Sequence, residues 1–214
     1  ALSNGAEITA TATDAAGNTG PAGSTTVDTL APNTSASSIS IDPIAGDNIV
    51  NATEAKGTVT LSGTLNNLAS DAATTTVLVS VNGVSYTATV DASTGKWTVD
   101  VAGSELALAT QIHVTANVTD AAGNTASFNQ TGSYSVDTVA PDAPVVNPNN
   151  GGAITGTAEA GSTVSVSYPD AAGGTVTVST TANASGEWTV AAPSPALTDG
   201  NVITATATDP AGNT

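Results

Sequence analysis

Apolar and polar residues alternate along much of this chain. Residues 58–65 read Thr-Val-Thr-Leu-Ser-Gly-Thr-Leu, and Ile112, Val114, Ala116 and Val118 are interleaved with His113, Thr115 and Asn117. A period of two places one set of side chains on each face of a strand, so both stretches predict half-buried strands. His113 then falls on the solvent face, which suits a hydrated strand residue and not a catalytic base. The same reading predicts strands at 39–42, 76–81, 85–90, 96–101, 111–119 and 133–136, with Asn82-Gly83 as a two-residue hairpin turn. Seven or so strands, with a turn every eight to twelve residues or so, describe an antiparallel β-sandwich of immunoglobulin-like type.

The pattern repeats. The run Thr-Ala-Asn-Val-Thr-Asp-Ala-Ala-Gly-Asn-Thr at 115–125 has close copies at 10–19 and 205–214, and each copy carries an Asp four residues before an Asn: Asp14 and Asn18, Asp120 and Asn124, Asp209 and Asn213. Two hairpins carry a tryptophan, Trp97 and Trp188, both expected to plug a core. Val-Asp-Thr-Leu-Ala-Pro at 27–32 returns as Val-Asp-Thr-Val-Ala-Pro at 136–141. The linker copies stand 109 residues apart and the tryptophans 91, so the units are of unequal length and join at a proline, which stiffens the entry to the next unit. The expected organisation is tandem domains forming an elongated rod. Residues 1–31 are the end of one unit, 32–141 a whole unit, and 142–214 a unit lacking its last strand. Ala1 reads like the middle of a strand-rich unit, so a piece of a longer chain is expected. Association of copies head to tail, 1–31 of one completing 142–214 of another, is a possible consequence.

Composition narrows the function. Eighteen acidic residues against two lysines and no arginine give a net charge of −16, which excludes nucleic acid and anionic membranes as partners. No run of apolar residues is long enough to insert in a membrane. The chain has no cysteine, so a small domain that needs a staple would take a metal. With a single histidine and neither cysteine nor arginine, nucleophilic triads and phosphate chemistry lack their parts, and no enzyme is expected.

In an immunoglobulin-like topology the loops after the second and penultimate strands lie at the pole where the chain enters. For the third unit these loops carry Glu159 and Asp209, and the linker at that pole carries Asp137. Three convergent carboxylates repel one another unless a proton or cation intervenes, and irregular oxygen ligation suits Ca2+ before Mg2+. The same logic places Asp28, Asp120 and Asp71 at the first junction, with Asp14 facing a unit outside the chain. Asp47, Asn51 and Glu54 are spaced to share one side of a short helical turn near Asp137, which makes Asp47 and Glu54 further candidate metal ligands, at the second junction or at a separate site. The competing explanation is turn chemistry: Asp, Asn and Gly build such bends without any metal.

Ile203–Thr214, Val136–Pro141, Gly156-Thr-Ala-Glu-Ala-Gly-Ser and Gly186-Glu-Trp-Thr-Val together resemble the bacterial immunoglobulin-like repeats of very large, type I-secreted, biofilm-associated (Bap-like) adhesins. The resemblance implies spacer repeats at the bacterial surface, with neighbouring repeats as partners and Ca2+ stiffening the joints. It matches Asp137, Glu159 and Asp209 to the interdomain calcium site, with Asp28 and Asp120 one unit earlier. The middle unit has residues 66–73 where the family has Gly-Thr-Ala-Glu-Ala-Gly. A module binding glycan or a host surface directly is the alternative, and it needs an exposed aromatic site among Tyr86, Tyr134, Tyr168 and Phe128.

Overall fold

The computed structural model describes all 214 residues. Strands β1 (Glu7–Ala10) and β2 (Gly23–Thr26) come first, followed by β3 (Ser38–Ile41), β4 (Ile49–Val50), β5 (Thr58–Asn66), β6 (Ala72–Val81), β7 (Val84–Val90) and β8 (Lys96–Ala102). After one helical turn, α1 (Gly103–Leu106), come β9 (Gln111–Asp120), β10 (Thr125–Ser133), β11 (Ser135–Val136) and β12 (Val145–Val146). The last are β13 (Ile154–Thr157), β14 (Thr163–Pro169), β15 (Thr175–Thr181), β16 (Glu187–Val190) and β17 (Thr204–Thr208). The fold is all-β, built of antiparallel immunoglobulin-like sandwiches. Two compact units divide the chain: residues 1–47, 59–101 and 108–134 form the first, and residues 48–58, 102–107 and 135–214 the second.

In the first unit, β1 and β2 make an exposed antiparallel hairpin, and the other strands run in the order β10-β9-β6-β7-β8-β5-β3. This ribbon turns a corner within one strand. Residues 84–88 of β7 pair with β6, whereas Thr89 and Val90 pair with β8. A strand that changes sheets closes a ribbon into a sandwich. The alternation then sorts itself: Val77, Val79, Val81, Ile112, Val114, Ala116 and Val118 from one sheet, and Val59, Leu61, Trp97, Val99 and Val101 from the other, are buried. Asn82 and Gly83 have φ of 48° and 79°, the left-handed pair that a two-residue hairpin turn requires.

One expected boundary is corrected. The predicted closing strand at 133–136 is two elements: β10, which pairs with β9 from Thr125↔Thr119 to Ser133↔Gln111, and the short β11. β10 reads Thr-Ala-Ser-Phe-Asn-Gln-Thr-Gly-Ser and has no alternating apolar face, because it is an edge strand held by its backbone ladder. Composition argued against helices, and α1 with two 3-10 segments, Ile44–Gly46 and Glu54–Lys56, are the small exceptions.

The second unit contains two three-stranded sheets, β12-β13-β16 and β15-β14-β17, over a core of Ile154, Val164, Val166, Ala182, Trp188 and Val190. It also takes in two excursions from earlier in the chain. β4 pairs in parallel with β11, and the Gly103 N–H donates to the Gly57 carbonyl at 2.9 Å.

The two sandwiches share a plan. Trp97 is fully buried and lies over Gly63, where an added Cβ would come 2.7 Å from the indole Cζ2. Trp188 lies over Gly156 in the same way, 2.6 Å from a would-be Cβ at Cε2. The bend before each tryptophan is held alike, by Leu65 N–H to Gly95 O and Ala158 N–H to Gly186 O, both at 2.8 Å. Both tryptophans are core plugs.

Candidate functional site

The repeated acidic motif is a three-residue hairpin loop: a turn followed by a left-handed glycine. At Asp120 the backbone N–H donates to Asn124 O at 3.1 Å and the Gly123 N–H returns to Asp120 O at 3.3 Å. One carboxylate oxygen, Oδ1, accepts the N–H groups of Ala122 and Asn124, each at 2.9 Å. The other, Oδ2, accepts the Asn124 amide at 2.9 Å. Asp14 and Asp209 accept from Asn18 and Asn213 in the same manner. The turn also recurs outside the three acidic copies, once at 170–174 and once in the hairpin that precedes Trp188. Asp170 Oδ1 accepts from Ala172 and Gly174 at 2.8 and 2.7 Å, and Asn183 Oδ1 from Ser185 and Glu187 at 2.9 and 3.0 Å. Turn chemistry alone therefore accounts for an acid or amide at the first position.

The asparagine at the fifth position is used differently in each copy. Asn18 meets only its own Asp14, on an exposed hairpin. Asn124 adds a bond from Nδ2 to the carbonyl of the linker residue Asp28, at 3.3 Å. Asn213 is buried and has every polar atom of its side chain engaged. Its Nδ2 donates to Asp209 Oδ2 at 2.8 Å and to the carbonyl of linker residue Asp137 at 2.9 Å, while its Oδ1 accepts the Ala52 N–H at 2.7 Å. Ala52 belongs to a loop that is itself capped reciprocally. Asn51 Oδ1 accepts the N–H groups of Thr53 and Glu54, and Glu54 Oε2 accepts the Asn51 N–H at 2.9 Å. Sequence spacing placed Asn51 and Glu54 on one turn correctly, and the Asp47 backbone N–H closes the preceding 3-10 turn on the Ile44 carbonyl.

The remaining predicted ligands are scattered. Asp28 and Asp137 are exposed linker residues whose Oδ1 atoms accept the N–H groups of Leu30 and Val139 at 3.0 and 3.2 Å. Asp71 is exposed at the start of β6. Glu159 is exposed and shares the lining of a hollow of about 370 Å³ with Asp142, a carboxylate the sequence reading passed over. No three carboxylate or imidazole groups stand together as a ready metal cage. The physical reason is that Asp120 and Asp209 turn both oxygens inward to their own hairpins. The carboxylates that face solvent, and so are open to a cation, are those of the linkers and of the loops outside these hairpins.

The hydrogen bonds set the electrostatics. The Asn124 amide holds the Asp120 carboxyl below its ordinary value of 3.8, against the opposing effect of burial. The Asn18 amide lowers Asp14 likewise. At Asp209 burial pushes upward, but the Asn213 amide and the turn N–H groups together outweigh it and the net shift is downward. Asp91 is brought down to about 2, first by the Ser93 hydroxyl. His113 is exposed on β9 with Nδ1 3.0 Å from Thr131 Oγ1, as its strand position predicted. Tyr134 is buried, and Tyr86 and Tyr168 line separate shallow hollows, so the aromatics form no stacking platform.

Repeated sandwiches closed by acidic hairpins define a modular immunoglobulin-like protein. The bacterial Ig domain family matches residues 140–214. A Ca2+-stabilized adhesin that helps an Antarctic bacterium reach out and bind ice is 34% identical over 97% of this chain and 53% of its own, with a TM-score of 0.57. A structure bearing on host cell surface retention of a 1.5-MDa bacterial ice-binding adhesin is 30% identical, covers 97% of this chain and 69% of its own, and has a TM-score of 0.56. A bacterial immunoglobulin-like domain from the M. primoryensis ice-binding adhesin is 42% identical over 47% of this chain and 96% of its own, with a TM-score of 0.43. No curated protein matches the chain. The chain belongs to the bacterial immunoglobulin-like repeats of large adhesins. It spans about half the length of the first of these relatives.

Proposed function

We propose that this chain is an extender segment of a bacterial cell-surface adhesin, secreted by a type I route. Its repeats, 1–31, 32–141 and 142–214, hold an adhesive part away from the cell in support of adhesion and biofilm formation. One observation carries the reading: the signature hairpin of each later copy reaches the linker backbone, Asn124 to Asp28 O and Asn213 to Asp137 O. The conspicuous motif serves to attach segments of chain to one another, which is the work of a spacer. No helix is long and apolar enough to cross a membrane. No catalytic role is proposed, since the carboxylates build hairpins and the one histidine sits on a strand face.

Calcium is the metal part of the proposal. The residues to hold it are those whose carboxylates lie exposed outside the hairpin turns: Asp137, Glu159 and Asp142 in the second unit, Asp28 and Asp71 in the first. Support comes from the net charge of −16 and from the Ca2+ that stabilizes the Antarctic relative. Bound cations would relieve the self-repulsion of so acidic a chain. Calorimetric titration tests this. Ca2+ should bind with a Kd on the order of 10⁻⁴–10⁻³ M, as extracellular modules do, and Asp137→Ala or Glu159→Ala should weaken it. Absence of heat at millimolar Ca2+ removes the metal from the account, and specific binding to a glycan array would favour a ligand-binding module over a spacer.

A further inference from the structure

The five hairpins isolate what the asparagine adds. The 170–174 loop has Gly174 at the fifth position, yet its backbone closes as the others do, with Asp170 N–H to Gly174 O at 3.0 Å and Gly173 N–H to Asp170 O at 3.3 Å. At 209–213 the equivalent bonds are 3.0 and 3.1 Å. The turn therefore forms without an amide side chain. What Asn213 adds lies elsewhere: its Oδ1 accepts the Ala52 N–H, 161 positions away in sequence, and its Nδ2 donates to the Asp137 carbonyl, 76 positions away.

From this we infer that Asn213 is a positioning residue, a metal-independent pin that fixes the Asn51–Glu54 turn and the Asp137 linker onto the final hairpin. The amide imitates a peptide group, offering an acceptor to a backbone N–H and a donor to a backbone carbonyl. It is buried, so water does not compete for these bonds, and in a buried site each unmade bond is costly. All three backbone and side-chain partners are satisfied by protein atoms, and none of them requires a cation. Asp209 supports the pin, because its Oδ2 accepts the second amide hydrogen and fixes which way the amide faces. The Asn124 copy is a weaker version, with one longer bond to Asp28 O. On the extender reading, on which only this last step rests, the 137–213 joint keeps its register without calcium and the 28–124 joint depends on it more.

Amide hydrogen exchange of the whole chain, followed residue by residue in EDTA and in Ca2+, tests the pin. The Ala52 N–H should be protected in EDTA as in Ca2+. Asn213→Gly copies the Gly174 turn, so it should preserve the hairpin and the protection of Val164 and Val166 in β14, yet speed Ala52 exchange by about tenfold or more. Asn124→Gly should leave Ala52 unchanged. Fast exchange of Ala52 in EDTA that only Ca2+ slows would overturn the inference, and that comparison needs no variant. Unchanged Ala52 exchange in Asn213→Gly would overturn it as well. The calcium proposal fails on a different reading, an absence of binding heat, so the two can fail separately.

Discussion

Single residues here carry roles that their chemistry alone leaves ambiguous, and the tryptophans illustrate it. Trp97 Nε1 donates to the Ser40 carbonyl at 3.2 Å, whereas Trp188 Nε1 is buried without a partner. Trp97→Phe should therefore cost about 1 kcal/mol more than Trp188→Phe, the net value of one hydrogen bond, in urea unfolding of each variant. Beneath them, Gly63→Ala and Gly156→Ala would force a methyl into the indole ring and should each destabilise by about 1–3 kcal/mol. The hairpin carboxylates make a pH prediction. Asp14, Asp91, Asp120 and Asp209 all titrate lower in the folded chain than in the unfolded chain. Their contribution is complete above the unfolded value of 3.8 and is lost as pH falls through the folded values; for Asp91 that window runs from 3.8 to about 2. Melting temperature should be level from pH 7 to about 5 and decline below about 4. A decline that begins near neutrality would point to other groups.

At the scale of elements, a strict period of two was readable wherever one face is buried, which covers β5, β6, β8 and β9. The β10 edge was not readable, since its partners are supplied by backbone and only Ala126 and Phe128 are apolar along it. The Asn82-Gly83 hairpin was legible because so few residues accept φ of 48° and 79°. Gly83→Ala should destabilise by about 1 kcal/mol in thermal unfolding. The candidate site was half legible. The acidic positions stood out by repetition, and the Asn51–Glu54 turn by spacing. The partners of Asn213 did not, because a side chain that bridges 76 and 161 positions leaves no local pattern in the sequence. Repetition also invited a single explanation for Asp and Asn together. The structure separates them: Asp makes the turn, and Asn reaches beyond it.

For the whole molecule, the charge, the lack of cysteine and the repeated plan describe a chain built from small cores that no disulfide reinforces. Trp plugs over glycine stabilise each sandwich from within, and the hairpin asparagines connect hairpin to linker. Membership among the immunoglobulin-like repeats of large adhesins fits that design, and calcium-reinforced extension is the function proposed for it. Heating scans in millimolar Ca2+ and in EDTA test this most directly. A site that binds only the folded chain, at a hundredfold excess over Kd, adds about 2.7 kcal/mol, or roughly 5–10 °C for a chain of this size. The account predicts a rise of that order with Ca2+, diminished by Asp137→Ala. The same melting temperature in Ca2+ and EDTA would contradict it.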